Sequence, residues 1–199
     1  MIKSYFLLAE NFIRKHKLQA FVDVVIFALI TYVFHRLWWN FYSWLESFDF
    51  IIGSADWLAR QVYLSSLWFN KNILFLTITT SEPNTMWFSN GSHVKIDEGC
   101  SGLKQFYQIL VLFVLFPGPW KHKMWYIPFG FFVMFLANIF RIVCLSLIAL
   151  WIPQHWDFAH EWILRPFFYV IIFLLWVYWV EKFRRNKKRN PERPSASVT

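Results

Sequence analysis

Charged residues are scarce in this chain. Asp, Glu, Lys and Arg make up 16% of its 199 residues, whereas hydrophobic types make up 57% and aromatic types 23%. Soluble globular domains carry about 25% charged residues. The composition therefore excludes an ordinary soluble domain and predicts an integral membrane protein with one domain.

Glycine and cysteine are also few, with six and two residues. The sequence has no Gly-rich phosphate loop, no C-x-x-C pair and no G-x-S-x-G turn. His160 and Glu161 begin like a zinc-binding H-E-x-x-H motif, but Leu164 stands where the second histidine is needed. We therefore expect no metal ion and no cofactor.

The net charge of +8 comes from the two ends of the chain. Residues 1–17 and 181–199 are rich in Lys and Arg, whereas residues 18–180 carry equal numbers of basic and acidic residues. Basic segments that flank apolar spans are typical of cytoplasmic ends. Nucleic-acid binding by residues 184–189 is the rival interpretation, and the apolar run directly before them disfavours it. We expect a membrane domain over residues 1–180 and a disordered basic tail over 181–199.

Four segments have the length and hydropathy of transmembrane helices. The third segment is too long for a straight span. As a helix that rises about 1.5 Å per residue, it would be longer than a hydrocarbon core of about 30 Å, so it must tilt, kink or project. The four predicted spans are approximately Leu18–Trp39, Ser101–Phe116, a stretch within Trp125–Ile152, and Trp162–Val180.

Lys121 and Lys123, in the loop between the second and third spans, fix the expected orientation. A topology with both ends in the cytoplasm puts all three basic segments there and leaves residues 40–100 and 152–161 outside. Residues 57–76 are apolar but interrupted by polar side chains. We predict that they form a helix in the interface or packed on the bundle. The alternative is a fifth span, which would place the two lysines and one tail on opposite sides.

Residues 81–99 are predicted to be extended. Asn90-Gly91 is a strong hairpin-turn signal between segments 85–89 and 92–97. Asn90 also begins a glycosylation sequon, but the turn explains the same residues with fewer assumptions. The predicted fold is thus an all-α membrane bundle of four helices, or five, with a small extracytoplasmic β-hairpin and an interfacial helix.

Three chemically capable side chains are expected at the outer ends of different spans. Cys100 precedes the second span, Arg141 lies about 24 Å up the third from Trp125, and His160 precedes the fourth. A thiol, a guanidinium and an imidazole suffice for acyl transfer as nucleophile, charge stabiliser and general base. Asn138 shares a helical face with Arg141 and is expected to orient it or to donate to an oxyanion.

The position of Cys100 just before a helix is expected to favour the thiolate.

Each residue also has a structural interpretation. Cys100 and Cys144 could form a disulfide, and His160 could cap a helix or join His155, Asp157 and Glu161 as metal ligands. An arginine in a membrane span is a functional candidate by default, and the shared depth of the three residues favours the joint catalytic hypothesis over separate structural roles.

Around these residues the sequence resembles the exosortase/archaeosortase family, in the form of its compact bacterial members. The resemblance rests on Glu98–Leu103, which includes Ser101 and Gly102, on Asn138-x-x-Arg141 and on His160, and it covers about residues 85–180. Many members have alanine where this chain has Gly99. The resemblance implies a thiol protease or transpeptidase in which Cys100, Arg141 and His160 are catalytic.

The resemblance also implies a substrate and a location. The expected partner is an exported protein whose C-terminus carries a short motif, a hydrophobic helix and a basic tail. Protein sorting of this kind takes place on the outer face of the prokaryotic cytoplasmic (inner) membrane, in contact with the lipid bilayer. The rival from another class is a non-catalytic assembly or transport subunit, in which Arg141 pairs with an acidic residue of a partner.

Overall fold

The computed structural model of the protein describes residues 19–45 and 47–185. Most of this part is helical. Three short helical segments connect the helix that ends at Trp151 to the helix that begins at Arg165: the 3₁₀ turn Pro153–His155, the turn Trp156–Phe158 and the π-helical turn Ala159–Leu164. The predicted basic N-terminus, and residues 186–199 of the predicted tail, lie outside the described residues. The long helices are α1 (Gln19–Leu45), α2 (Asp49–Asn72), α3 (Leu103–Leu115), α4 (Trp120–Trp151) and α5 (Arg165–Trp179).

Three helical segments are long and apolar enough to cross a membrane: Ala20–Phe41, Trp120–Trp151 and Pro153–Phe183. The predicted second span forms α3, whose 13 residues reach only about 20 Å, less than a hydrocarbon core. Pro117-Gly118-Pro119 ends this helix early, because proline cannot continue the hydrogen-bond ladder. By length, the structure therefore supports three of the four predicted spans.

Helix α2 is not one of these spans. It packs along α4, which is one of the two placements that the sequence predicts. Its polar residues explain the choice, because Ser66 and Asn70 are fully buried against the bundle. Asn70 Nδ2 donates to Ser146 Oγ of α4 at 2.9 Å, a contact that would have no counterpart against lipid.

The helices enclose two apolar cores. The first lies near the turn between α3 and α4, where Tyr126 Oη donates to the Leu175 carbonyl at 2.7 Å. In the same region the Lys123 ammonium group donates to the Val114 carbonyl at 2.9 Å and so caps the end of α3. The second core joins α2 and the sheet to the C-terminal half of α4 through Ile142, Leu145 and Ala149.

The sheet has three antiparallel strands in the order β1-β2-β3, namely Ile78–Ser81, Thr85–Phe88 and His93–Lys95. The predicted hairpin corresponds to β2 and β3. Strand β1 was not predicted, because only Ile78 of its four residues is buried and the segment lacks an apolar alternation.

The hairpin turn caps α4. Asn90 Nδ2 donates to the carbonyls of Ala149 and Leu150 at 2.8 and 3.0 Å, and Ser92 Oγ donates to Ala149 at 2.8 Å. These carbonyls at the end of a helix have no intrahelical partner of their own. The nitrogen to which a glycan would be attached is therefore engaged in the fold, which favours the turn interpretation of Asn90-Gly91-Ser92.

Candidate functional site

Cys100 lies in a short turn between the sheet and α3. The turn is a 3₁₀ helix, Glu98–Cys100, and Asp97 caps it: Asp97 Oδ1 accepts a hydrogen bond from the Cys100 main-chain N–H at 3.1 Å. Helix α3 begins only at Leu103, whose N–H donates to Ser101 Oγ at 3.2 Å. Cys100 is thus held by its own capped turn and not by the first turn of α3.

Asn138 on α4 holds this turn from the other side. Its Nδ2 donates to the Cys100 carbonyl at 2.8 Å and to the Ser101 carbonyl at 3.0 Å. Gly102 makes the approach possible, since it has φ +84° and a Cβ there would lie 3.0 Å from Asn138 Nδ2. Both N–H groups of Asn138 thus bind the Cys100 turn, whereas its Oδ1, the atom that could accept from a guanidinium, makes no hydrogen bond in the described structure.

Arg141 and His160 form a direct pair. Arg141 Nη2 lies 2.8 Å from His160 Nε2. A guanidinium group can only donate, so Nε2 is the acceptor and the proton of the neutral imidazole is on Nδ1. The hydrogen bond of the His160 ring thus runs to Arg141, whereas the sequence predicted that this ring would face Cys100.

Aromatic rings hold this pair in place. The Trp156 ring lies parallel to the His160 ring, with an interplanar angle of 6° and centroids 6.1 Å apart. The Phe168 ring centroid is 5.6 Å from Arg141 Cζ, within the range of a cation–π contact. His160 belongs to a π-helical turn, Ala159–Leu164, a geometry that recurs at functional sites.

Cys100, Arg141 and His160 line one cavity of about 640 Å³. Trp38 and Trp39 of α1 and Phe168 and Tyr169 of α5 supply apolar walls. The charged side chains along the cavity are of both signs: carboxylates from Asp97 and Glu98, and cations from Lys104, Arg141 and Arg165. The structure therefore brings together the three residues that the sequence singled out. His155 is exposed.

The surroundings of Cys100 favour its protonated form. Burial raises the pKa of the Cys100 thiol above its ordinary value, the nearby Arg141 guanidinium opposes this, and the Asp97 carboxylate adds to the increase. The sequence analysis predicted a lowered pKa for this thiol, because it considered the helix dipole at this position and did not consider burial.

Two residues near the site were missed by the sequence analysis. Asp97 stands three residues before Cys100. An N-cap residue has this spacing from the third helical residue, whose main-chain N–H it binds. The sequence therefore contained a capping signal for Asp97. Nothing in the sequence linked Trp156 to His160 beyond their spacing of four.

Cys144 and Cys100 are both free thiols, so the alternative of a disulfide between them is not realised.

Comparison with known proteins identifies the family of the chain. No curated protein and no solved structure matched the chain. The family model of the transmembrane exosortases matches residues 69–178, more than half of the chain. That segment runs from the end of α2 through the sheet to α5, and it contains Cys100, Arg141 and His160. The chain therefore belongs to the transmembrane exosortase family.

Proposed function

We propose that this membrane protein is a cysteine protease or transpeptidase that cleaves the C-terminal sorting signals of exported proteins. The observation that carries the proposal is the shared cavity: the Cys100 thiol and the Arg141–His160 pair open to the same space of about 640 Å³. A nucleophile and a fixed cation beside a cavity with apolar walls suit an acyl transfer that excludes bulk water.

In the proposed reaction the Cys100 sulfur attacks the carbonyl carbon of the scissile peptide bond. Arg141 stabilises the oxyanion, and its Nε–H is a buried donor with no partner of its own in this structure. His160 accepts from Nη2 and so fixes the plane of the guanidinium. The resulting thioester is released by water in a protease, or by an amine in a transpeptidase.

The direction of α4 supports an extracytoplasmic site. Helix α4 begins at Trp120, next to Lys121 and Lys123, and Arg141 lies about 32 Å further along the axis. Basic loops favour the cytoplasm, so the cavity would open on the outer face of the prokaryotic cytoplasmic membrane. A substrate with a short motif, a hydrophobic helix and a basic tail would then lie in the bilayer beside the bundle.

The proposal is tested with an exported reporter that ends in such a signal, produced together with the protein in the same cells. Wild type and Cys144→Ala should shorten the reporter, and Cys100→Ala should leave it intact while still inserting in the membrane. Cys144 is the matched control because it is the second free thiol and lies outside the cavity lining. Equal processing by the Cys100→Ala variant would favour the non-catalytic subunit instead.

A further inference from the structure

We infer that Asp97, and not His160, accepts the proton of the Cys100 thiol during attack. This inference rests on the proposed function and assigns a further catalytic residue to it. It arises from the way in which the two candidate bases are placed around Cys100.

His160 has no free lone pair in this arrangement. A neutral imidazole has one acceptor nitrogen, and that nitrogen, Nε2, accepts from Arg141 Nη2 at 2.8 Å. To act as a base His160 would have to leave Arg141, which would release the guanidinium at the moment when the oxyanion forms. Its position suits a residue that orients Arg141.

Asp97 is next to the thiol. Its Oδ1 accepts a hydrogen bond from the Cys100 main-chain N–H at 3.1 Å, so the carboxylate is anchored beside the residue that carries the thiol. Gly99 leaves room for this carboxylate, because a Cβ at that position would lie 3.3 Å from Oδ1. Asp97 lines the cavity and is exposed, so it can exchange protons with solvent. A proton acceptor must come within hydrogen-bond reach of the thiol. A carboxylate that is anchored on the Cys100 main chain and lines the same cavity is placed to do so.

The step balances with these groups alone. As the bond from sulfur to the carbonyl carbon forms, the S–H proton moves to the Asp97 carboxylate and the carbonyl electron pair moves to oxygen, beside Arg141. When the oxyanion collapses, the C–N bond breaks and the leaving nitrogen takes the proton from the Asp97 carboxylic acid. The products are a thioester on Cys100, a free amine and the original carboxylate.

The carboxylate also has a second, opposite effect on Cys100. Before substrate binds, its negative charge disfavours the thiolate, whereas Arg141 favours it. The other charged groups along the same cavity are Glu98, Lys104 and Arg165, with the histidines His35 and His160. Removing only the Asp97 charge should therefore make the free thiol more reactive and the enzyme slower. A purely structural role predicts no such divergence.

The test uses Asp97→Asn in the full-length Cys144→Ala protein, reconstituted in vesicles. Asparagine keeps the cap on the Cys100 N–H but cannot take a proton. We expect alkylation of Cys100 by iodoacetamide at pH 7.5 to become several-fold faster, and processing of the reporter to fall by roughly a hundredfold or more. Asp56→Asn, the same change at an exposed position on α2, should alter neither rate. Retained processing by Asp97→Asn, or slower alkylation together with slower processing, would overturn the inference.

His160→Gln is the complementary variant. Its amide oxygen can still accept from Arg141, so it should retain processing within about tenfold of wild type if His160 only orients the guanidinium. Inactivity as complete as that of Cys100→Ala, in a protein that still inserts, would return the role of base to His160. A wild-type protein that processes no reporter would instead refute the proposed function, which is a separate result.

Discussion

Asn138 on α4 is tied through one amide group to two consecutive carbonyls, those of Cys100 and Ser101. The distances are 2.8 and 3.0 Å, and Asn138 itself is almost fully buried. Arg141 lies one turn further along the same helix. Cys100 and Arg141 are therefore both positioned by α4, which fixes their relative placement.

Replacing Asn138 should separate these two groups. We expect Asn138→Ala to lower processing at least tenfold and to destabilise the protein by about 1–3 kcal/mol, the usual cost of leaving buried carbonyls unpaired. Asn138→Asp should be worse, because a carboxylate would face two carbonyl oxygens. Reporter processing and thermal unfolding in detergent measure the two effects. Asn72→Ala removes an exposed amide from the end of α2 and is the control; an equal loss in that variant would contradict the argument.

Gly102 is predicted to tolerate no side chain. Its φ of +84° strains any L-residue, and a new Cβ would press on Asn138 Nδ2 at 3.0 Å. Gly102→Ala should thus resemble Asn138→Ala in reporter processing. Gly53→Ala, within α2, has open space around its Cβ and should be neutral or slightly stabilising. If Gly102→Ala processed the reporter at the wild-type rate, the contact between Asn138 and the Cys100 turn would not matter for function.

The sequence predicted that Cys100, Arg141 and His160 lie near one another, and they do line one cavity, but it did not predict their contacts. The basic segments predicted a direction for the third span, and counting residues along it predicted that Arg141 lies near the level of Cys100. Depth along a helix follows from the rise per residue, whereas lateral contacts depend on how the helices rotate and pack. That is why the sequence predicted that the His160 ring faces Cys100, although the ring bonds to Arg141, and why it did not predict the bonds from Asn138 to the Cys100 and Ser101 carbonyls.

Short elements were the other source of error. The apolar run after Ser101 has the composition of a span, but its helix ends after 13 residues, at Pro117-Gly118-Pro119. Strand β1 has too few buried residues to show a pattern. The Asn90-Gly91 turn, by contrast, was predicted correctly, because its conformation depends on local backbone preferences that two residues can express.

Arg141→Lys should be severely impaired although the charge is retained. A guanidinium can donate to His160 through Nη2 and still offer further N–H groups in the same plane, whereas an ammonium group is a single point with a shorter reach. We expect processing to fall by roughly a hundredfold. Arg60→Lys, at an exposed position on α2 outside the cavity lining, is the control and should have little effect. Full turnover by Arg141→Lys would show that a cation of any shape is enough.

The reactivity of Cys100 should depend on pH in a way that reports its surroundings. Only the thiolate reacts with iodoacetamide. Burial raises the pKa of the thiol and Arg141 lowers it, so in the Cys144→Ala background alkylation should increase with pH to a midpoint above the ordinary value of about 8.5. Arg141→Gln removes the group that lowers the pKa, and its midpoint should move higher still. The measurement needs no substrate, because the rate of label incorporation is followed directly between pH 6 and about 10. In the Cys144→Ala background, a midpoint below the ordinary value, or a downward shift when Arg141→Gln is added, would contradict the burial of the thiol beside Arg141.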